Sequence, residues 1–224
     1  MGKREKSKLR ENITAVLLAI LIALFIKGFI VEHYMVPTGS MIPTIDIGDR
    51  LFAMKFIYGA KIPLTNRRLP AVRDPGHGDI VVFQAPFYEK PNILVRIFNP
   101  MVYTLSLSFV TIDPQPKFYV KRCIGLPGDV VQIIGKNVYI NGEQQRGWWP
   151  EFHSDPTIFP PGDDLINRRD YYGPVTIPEG TYFMMGDNRD ESYDSRFWGF
   201  VERHDIYGKA FLKVWPLREI GILR

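Results

Sequence analysis

Three features of this sequence predict a mainly β fold behind one N-terminal transmembrane helix. An apolar segment near the N-terminus has the length that a membrane-spanning helix needs. Beyond residue 35 helical periodicity nearly vanishes, and short β-prone runs alternate with Gly and Pro turns. Two stretches, near 87–117 and 146–173, interrupt this alternation and are interpreted as insertions. We therefore expect an antiparallel sheet or folded barrel in a β-rich domain at 34–224.

The N-terminal segment predicts an anchor whose first residues stay in the cytoplasm. Residues 1–12 form a basic tail, and the hydrophobic stretch Ile13–Val31 that follows has 19 residues. At about 1.5 Å rise per residue, this length nearly matches a hydrocarbon core about 30 Å thick. Basic residues before a span remain cytoplasmic, so the chain beyond a span at 13–33 is expected on the other side of the cytoplasmic (inner) membrane.

A cleavable secretory signal is the alternative, because it also has a basic start and a short apolar core. Cleavage needs small residues at alternate positions after that core, whereas residues 27–34 read Lys-Gly-Phe-Ile-Val-Glu-His-Tyr and are mostly bulky. Farther along, Ile97–Ile112 is apolar, but Pro100 and nearby polar residues favour a loop or a buried hairpin over a second span. We interpret the chain as a single-pass protein that contacts the lipid bilayer.

Short runs rich in β-branched and aromatic residues are the predicted strands. They are Asp79–Phe83, Phe118–Ile124, Val130–Ile134, Val138–Ile140, Thr181–Met185 and Ala210–Trp215. The dipeptide Gly135-Lys136 suits a two-residue hairpin loop with glycine first. In the second insertion, Trp148 and Trp149 either pack the segment against the core or face the membrane.

Composition excludes several classes of function. The formal net charge of +4 comes largely from the N-terminal tail, so the remainder lacks the basic face of a nucleic-acid-binding protein. The single Cys123 cannot form an intramolecular disulfide and is predicted to be buried in a strand. The four histidines show no metal-ligand spacing, so we expect neither a metal nor a cofactor.

The turn after the anchor places a serine close to the expected membrane surface. Ser40 lies nine residues after Val31 in the segment 37–44, which reads Pro-Thr-Gly-Ser-Met-Ile-Pro-Thr. A serine hydroxyl is a weak nucleophile unless a base takes its proton. The histidine candidate is His204, next to Asp205, but its charged turn is most simply a solvated loop, and no Gly-x-Ser-x-Gly elbow surrounds Ser40.

An unprotonated lysine is the other base that can serve a serine. A free lysine has a pKa of about 10.4, so it must be buried, with no carboxylate beside it, to lose its proton at neutral pH. In the apolar run around Lys121, Tyr119 and Cys123 share its face, whereas Arg122 lies on the other. Spacing alone does not say which cation points inward, and an exposed edge position is the alternative for any strand lysine.

Four segments, taken together, resemble a known family. Residues 37–44, 48–51 (Gly-Asp-Arg-Leu), 119–129 (Tyr-Val-Lys-Arg-Cys-Ile-Gly-Leu-Pro-Gly-Asp) and 186–196 (Gly-Asp-Asn-Arg-Asp-Glu-Ser-Tyr-Asp-Ser-Arg) are similar to the serine, strand, lysine and C-terminal boxes of bacterial type I signal peptidases, or leader peptidases. Their order behind one N-terminal anchor makes the resemblance specific. It implies a mainly β peptidase fold and covers most of residues 13–215.

The resemblance also implies roles for individual residues. Ser40 would be the nucleophile, Lys121 the general base, and Ser192 the hydroxyl that orients the lysine amine. Thr38, where the family often has serine, would form the oxyanion hole together with the Ser40 N–H. Supporting polar contacts, with surface salt bridges as the alternative, would come from Asp187, Asp194 and Arg196.

The substrates implied by the resemblance are preproteins whose signal peptides end in a small-x-small motif. Apolar residues would line shallow pockets that reject large side chains: Val36, Met41, Ile45, Tyr119 and Val120. The expected function is removal of signal peptides through an acyl-enzyme, with contact to the secretion machinery left open. The alternatives are a specialised peptidase for one conjugation or pilus substrate, a non-enzymatic anchored envelope domain, and a self-cleaving Ser/Lys regulator, which would carry a DNA-binding domain where this chain has its anchor.

Overall fold

The computed structural model describes residues 2–62, 65, 67–87, 94–95, 98–99, 102, 118–162 and 164–223. Helix α1, Gly2–Phe25, continues into a π-helical turn at Ile26–Ile30. Within it, Arg10–Ile30 is long and apolar enough to cross a membrane, and its residues from Arg10 to Ile26 are exposed. Strand β1 begins at Val31, so residues 31–33 of the predicted span are strand in the structure.

Twelve strands are found among the described residues. In chain order they are β1 Val31–Met35, β2 Arg50–Met54, β3 Ile80–Gln84, β4 Phe118–Gly125, β5 Val130–Ile134, β6 Asn137–Ile140, β7 Glu143–Gln144, β8 Tyr172–Thr176, β9 Thr181–Met185, β10 Val201–Glu202, β11 Ile206–Trp215 and β12 Gly221–Ile222. A short helix, α2, spans Ser195–Trp198. All six predicted strands overlap observed ones.

The strands form two antiparallel sheets. The eight-stranded sheet has the order β1-β2-β11-β3-β4-β9-β10, with β12 pairing to β11, and the four-stranded sheet has the order β7-β6-β5-β8. The predicted mainly β, antiparallel class is therefore confirmed. Register in the large sheet sets Val81 opposite Lys121 and Arg122 opposite Met185, so both cations lie in β4, between β3 and β9.

The two predicted insertions are described to different extents. Most of 87–117 lies outside the described residues. Of 146–173, only residue 163 is outside them. Within this segment, Phe152 forms an isolated parallel β-bridge with Asn188, which lies in the loop after β9. Trp149 is 7% exposed and belongs to a core cluster, whereas Trp148 is 74% exposed, so the two tryptophans have different environments.

Two smaller predictions also agree with the structure. Gly135 and Lys136 connect β5 to β6 as a two-residue loop, and both have positive φ, 53° and 71°. Positive φ at both positions corresponds to a type I′ turn. Cys123 is completely buried in β4.

Candidate active site

Ser40 lies in the loop that joins β1 to β2. The base of this loop is closed by two backbone hydrogen bonds, from Val36 N to Asp49 O at 2.9 Å and from Gly48 N to Val36 O at 2.8 Å. Met41 and Ile45 are fully buried in a core cluster. Their burial anchors the turn, and it leaves Ser40 itself 8% exposed.

Lys121 is buried in β4 and reaches Ser192. It is 3% exposed, and its Nζ donates a hydrogen bond to Ser192 Oγ at 3.0 Å. Burial is the main cause that lowers the pKa of Lys121, to about 8; the charge of Arg196 lowers it further, whereas Asp194 and Asp187 oppose the shift. The neutral amine, which can accept a proton, is therefore well populated slightly above neutral pH.

Ser192 links this amine to a charged pair. Its Oγ accepts hydrogen bonds from Lys121 and from the Gly186 N–H at 3.1 Å, and its hydroxyl donates to Asp194. Arg196 donates to both carboxylate oxygens of Asp194 at 2.8 Å. Burial acts to raise the pKa of Asp194, but Arg196 and the hydrogen bonds outweigh it and keep the pKa below its usual value. Asp194, the carboxylate whose charge acts most strongly on Lys121, is thus charged and already paired with Arg196.

Gly186 lies between Ser192 and the turn that contains Ser40, residues 37–44, which we call the serine turn. A Cβ at this position would fall far inside van der Waals contact with both Ser192 Oγ and the Ser40 carbonyl oxygen. Because glycine has no Cβ, Ser192 Oγ and the Ser40 carbonyl oxygen can both lie this close to the Gly186 backbone. Among the described side chains, the hydrogen bond of Lys121 goes to Ser192 Oγ, and no direct one joins Lys121 to Ser40 Oγ.

Arg122 forms a second buried centre on the opposite face of β4. Its guanidinium donates to both oxygens of Asp187 at 2.7 Å, and both side chains are 1% exposed. Thr44 donates to Asp187 Oδ2 at 2.5 Å, and Arg122 also donates to the Gly78 carbonyl at 2.8 Å. The serine turn, β4 and the loop after β9 are therefore joined by one network. Loss of one partner of such a buried pair typically costs about 3–5 kcal/mol of stability.

The remaining sequence-predicted residues have mixed environments. Thr38 is exposed, and Tyr119 and Val120 are partly buried. The other three predicted pocket residues, Val36, Met41 and Ile45, are core residues in the structure. Their role as pocket residues therefore stays a prediction.

The histidine candidate is far more exposed than Lys121. His204 has a side chain that is 59% exposed and lies 2.9 Å from Glu202 and 3.3 Å from Asp205. It is part of a 3-10 turn at the surface, as its charged sequence predicts. Among the described residues, no group of three or more His, Cys, Asp or Glu is arranged to hold a metal ion.

Sequence reasoning gave no role to several residues that form this site. Arg122 and Thr44 complete the network around Asp187, Gly186 allows the close approach, and Asn188 contacts the serine turn. Arg122 carried a detectable signal, because an arginine inside an apolar strand needs a buried carboxylate. The other three lie in segments 37–44 and 186–196, so the resemblance of those segments to known boxes was the signal available for them.

Comparison with known proteins identifies relatives over most of the chain. The family model described as "Signal peptidase, peptidase S26" matches residues 9–215. A probable signal peptidase I-2 of Synechocystis sp. is 34% identical over 205 residues, which cover 92% of this chain and 72% of that protein. Signal peptidase I of Pseudomonas aeruginosa is 34% identical over 221 residues, covering 88% and 68%. A crystal structure of a signal peptidase I from Enterococcus faecalis matches with a TM-score of 0.35 and 25% identity, covering 61% of this chain and 97% of that one.

Proposed function

This chain belongs to the signal peptidase family, peptidase S26, and we propose that it removes signal peptides from exported preproteins as a serine endopeptidase with a Ser40/Lys121 dyad. The observation that carries the proposal is the buried amine of Lys121, held by Ser192 beside the Ser40 turn. Family membership gives the class of reaction, and this geometry supplies the residues that would perform it.

The reaction proceeds by acyl transfer. Ser40 Oγ attacks the scissile carbonyl while Lys121 Nζ takes the hydroxyl proton. The tetrahedral oxyanion is held by the Ser40 N–H and the Thr38 hydroxyl. Collapse of the tetrahedral intermediate breaks the C–N bond, and Lys121 returns the proton to the leaving amine, which becomes the new N-terminus. A water molecule, deprotonated by Lys121, then hydrolyses the ester and releases the signal peptide.

The hydrogen bonds of Ser192 support Lys121 as the base. Because the Ser192 proton is donated to Asp194, Ser192 Oγ accepts an N–H from the neutral amine. A neutral amine that donates one N–H in this way keeps its lone pair available to take the Ser40 proton. The Asp194 charge is paired with Arg196; it acts to raise the pKa of Lys121, but burial outweighs it and the pKa stays lowered.

Activity is expected to rise with pH. The pKa of Lys121 is lowered to about 8, and only the neutral amine accepts a proton. Below this pKa the protonated fraction dominates, so kcat/KM should fall by about tenfold per pH unit and should level off at higher pH. Steady-state rates from about pH 6 to pH 10 with a peptide substrate test this. A profile that is flat, or one with its midpoint at about 6.5, the pKa of a histidine, would contradict the lysine base.

Thr38 is proposed as the second oxyanion donor. Removal of one such donor typically lowers kcat by about 10²–10³-fold. We expect Thr38→Ala to lose activity in the range from about tenfold to a thousandfold, with a smaller change in KM. Thr38→Ser keeps the hydroxyl and should retain most of the activity. An unchanged kcat in Thr38→Ala would remove this residue from the oxyanion hole.

Specificity for small residues before the cut is proposed to arise at the apolar surface next to the dyad. Tyr119 and Val120 are partly exposed and could contact a bound peptide, and Val36, Met41 and Ile45 would form the floor beneath it. A floor that is already packed leaves space only for side chains such as Ala or Gly. Peptides with Leu in place of Ala immediately before the cut should therefore not be processed.

In the proposed topology, residues 1–12 lie in the cytoplasm, the predicted span 13–33 crosses the inner membrane with its helical part, which ends at Ile30, and the catalytic domain at 34–224 lies outside the cytoplasm. It is supported by the basic tail and by the apolar helix Arg10–Ile30. Protease added to intact spheroplasts should digest the large domain and spare the tail. Protection of the large domain would reverse the orientation.

The function is tested by processing in a purified system. Detergent-solubilised protein is incubated with a preprotein, and the new N-terminus is mapped by mass spectrometry. We expect one cut, directly after a small-x-small motif. No cut would favour a non-enzymatic envelope domain, cleavage of the chain itself would favour a self-processing protein, and activity restricted to one precursor of several would favour a specialised peptidase.

A further inference from the structure

The backbone of the Ser40 turn is held by one residue of the loop after β9. Asn188 N donates to the Ser40 carbonyl at 3.1 Å, and Asn188 Nδ2 donates to the Gly39 carbonyl at 3.3 Å. These two oxygens flank the α-carbon of Ser40. Gly39 O also accepts from Ile42 N at 3.2 Å, which closes the turn locally.

Fixing the Gly39 carbonyl also fixes the direction of the Ser40 N–H. The two groups belong to one planar trans peptide unit, so they point in opposite directions. With its oxygen held by Asn188, this unit turns the Ser40 N–H away from the loop after β9. Among the described residues, no hydrogen bond uses the Ser40 N–H, whereas both neighbouring carbonyls are occupied.

The Asn188 side chain has one chemically consistent orientation. Its Nδ2 donates to Gly39 O and lies 3.4 Å from Glu191 Oε2, so an inverted amide would set Oδ1 against two oxygens. In the observed orientation Oδ1 is buried and has no hydrogen-bond partner among the described residues. Leaving such an acceptor unsatisfied typically costs about 1–3 kcal/mol of stability. The structure keeps this orientation because it lets Nδ2 donate to the Gly39 carbonyl.

Asn188 is itself held rigidly by the 146–173 segment. Phe152 N donates to Asp187 O at 2.8 Å, and Arg189 N donates to Phe152 O at 2.9 Å, so the two residues flanking Asn188 are tied to one residue of that segment. Asn188 is 1% exposed. The second insertion therefore braces the loop that contacts the serine turn.

We propose that Asn188 is a positioning residue that aims the Ser40 N–H into the oxyanion hole, and that the 146–173 segment serves to brace it. This inference rests on the proposed acyl-transfer function. Asn188 touches neither the substrate nor the reacting atoms; it acts through the peptide unit that carries the oxyanion donor. Its loss should therefore weaken transition-state stabilisation and leave ground-state binding and the Lys121 proton equilibrium unchanged.

The test compares Asn188→Ala, which removes the amide, with Asn188→Asp, which keeps its size but sets a carboxylate oxygen against Gly39 O. Both should lower kcat by between about tenfold and a thousandfold, with KM changed by less than about threefold and with the same pH midpoint as the wild type. Asn137→Ala is the matched control. The Asn137 amide also donates to backbone carbonyls, of Ile134 and Gly135, but it is exposed on β6 in the other sheet.

A peptide aldehyde and the matching alcohol separate positioning from general damage. The aldehyde adds to Ser40 and forms a tetrahedral oxyanion, whereas the alcohol binds without reacting. In the Asn188 variants, inhibition by the aldehyde should weaken by about the factor lost from kcat, while inhibition by the alcohol stays within about threefold. Equal weakening for both inhibitors, a kcat within about twofold of the wild type, or unfolding of both variants would overturn the positioning role. Inactive wild-type protein would instead count against the proposed function itself.

Discussion

Replacing Ser40 by Ala, or Lys121 by Met, is expected to reduce kcat by at least about a thousandfold while the fold remains intact. Ser40→Ala removes the attacking oxygen. Lys121→Met removes the proton acceptor and leaves a side chain of similar length that suits a buried position in β4. Because nucleophile and base act as one unit, the double variant should be no slower than the worse single variant.

Processing of a purified preprotein, followed as a single-turnover rate, measures both losses. Ser154→Ala is the control, since Ser154 is exposed in the 146–173 segment and should be replaceable without effect. Melting temperatures establish that each variant is folded. Substantial cleavage by folded Ser40→Ala or folded Lys121→Met protein would exclude the dyad.

Gly186→Ala is expected to have the next largest effect, a loss of at least about a hundredfold in kcat, comparable to the loss of one oxyanion donor. The added methyl group would overlap Ser192 Oγ and the Ser40 carbonyl oxygen. Ser192 would have to move away from Lys121, or the serine turn would have to move away from Asn188. Either movement separates the nucleophile from its base.

The control for Gly186→Ala is a glycine whose surroundings leave space for a methyl group. A Cβ at Gly221 in β12 would have as its nearest neighbour the Glu219 carbonyl oxygen, at 3.9 Å, so Gly221→Ala should keep both the rate and the melting temperature. A Gly186→Ala protein with wild-type kcat would show that Ser40 and Ser192 need not approach each other. If the melting temperature of Gly186→Ala falls so far that unfolding alone explains the lower rate, the glycine has a structural role only.

The class of fold could be predicted because alternation and turn residues mark most of the long strands. Strands β1, β2 and β8 were not among the predicted strands, although residues 50–51 of β2 belong to the segment that resembles the strand box. Val31–Met35 follows the apolar helix without a Gly or Pro boundary, so its sequence continues the hydrophobic span. β2 pairs with both β1 and β11, and the pairing with β11 joins residues about as far apart as the domain allows. Such pairing is decided by tertiary contacts.

The site was predictable only in part, and β4 shows why. Its sequence offers two adjacent cations, and alternation sends them to opposite faces. The structure buries both: Lys121 meets the hydroxyl of Ser192, and Arg122 meets the carboxylate of Asp187. Whether the lysine can lose its proton depends on its burial and on the partner that its face provides, and the partners of both faces come from the loop after β9. The contacts of Asn188 with Gly39 and Ser40 are equally invisible in the sequence, because they mainly involve backbone atoms.

A neutral, buried Lys121 as the base is the central claim, and the most direct measurement is an NMR titration of that side chain in detergent-solubilised protein labelled with carbon-13 lysine. The signal absent from the Lys121→Met spectrum identifies the residue. The account predicts that this signal titrates with a pKa of about 8, because burial disfavours the charged amine, and that the midpoint agrees with that of kcat/KM. A Lys121 signal that titrates at about 10.4, like that of an exposed lysine, would contradict the account.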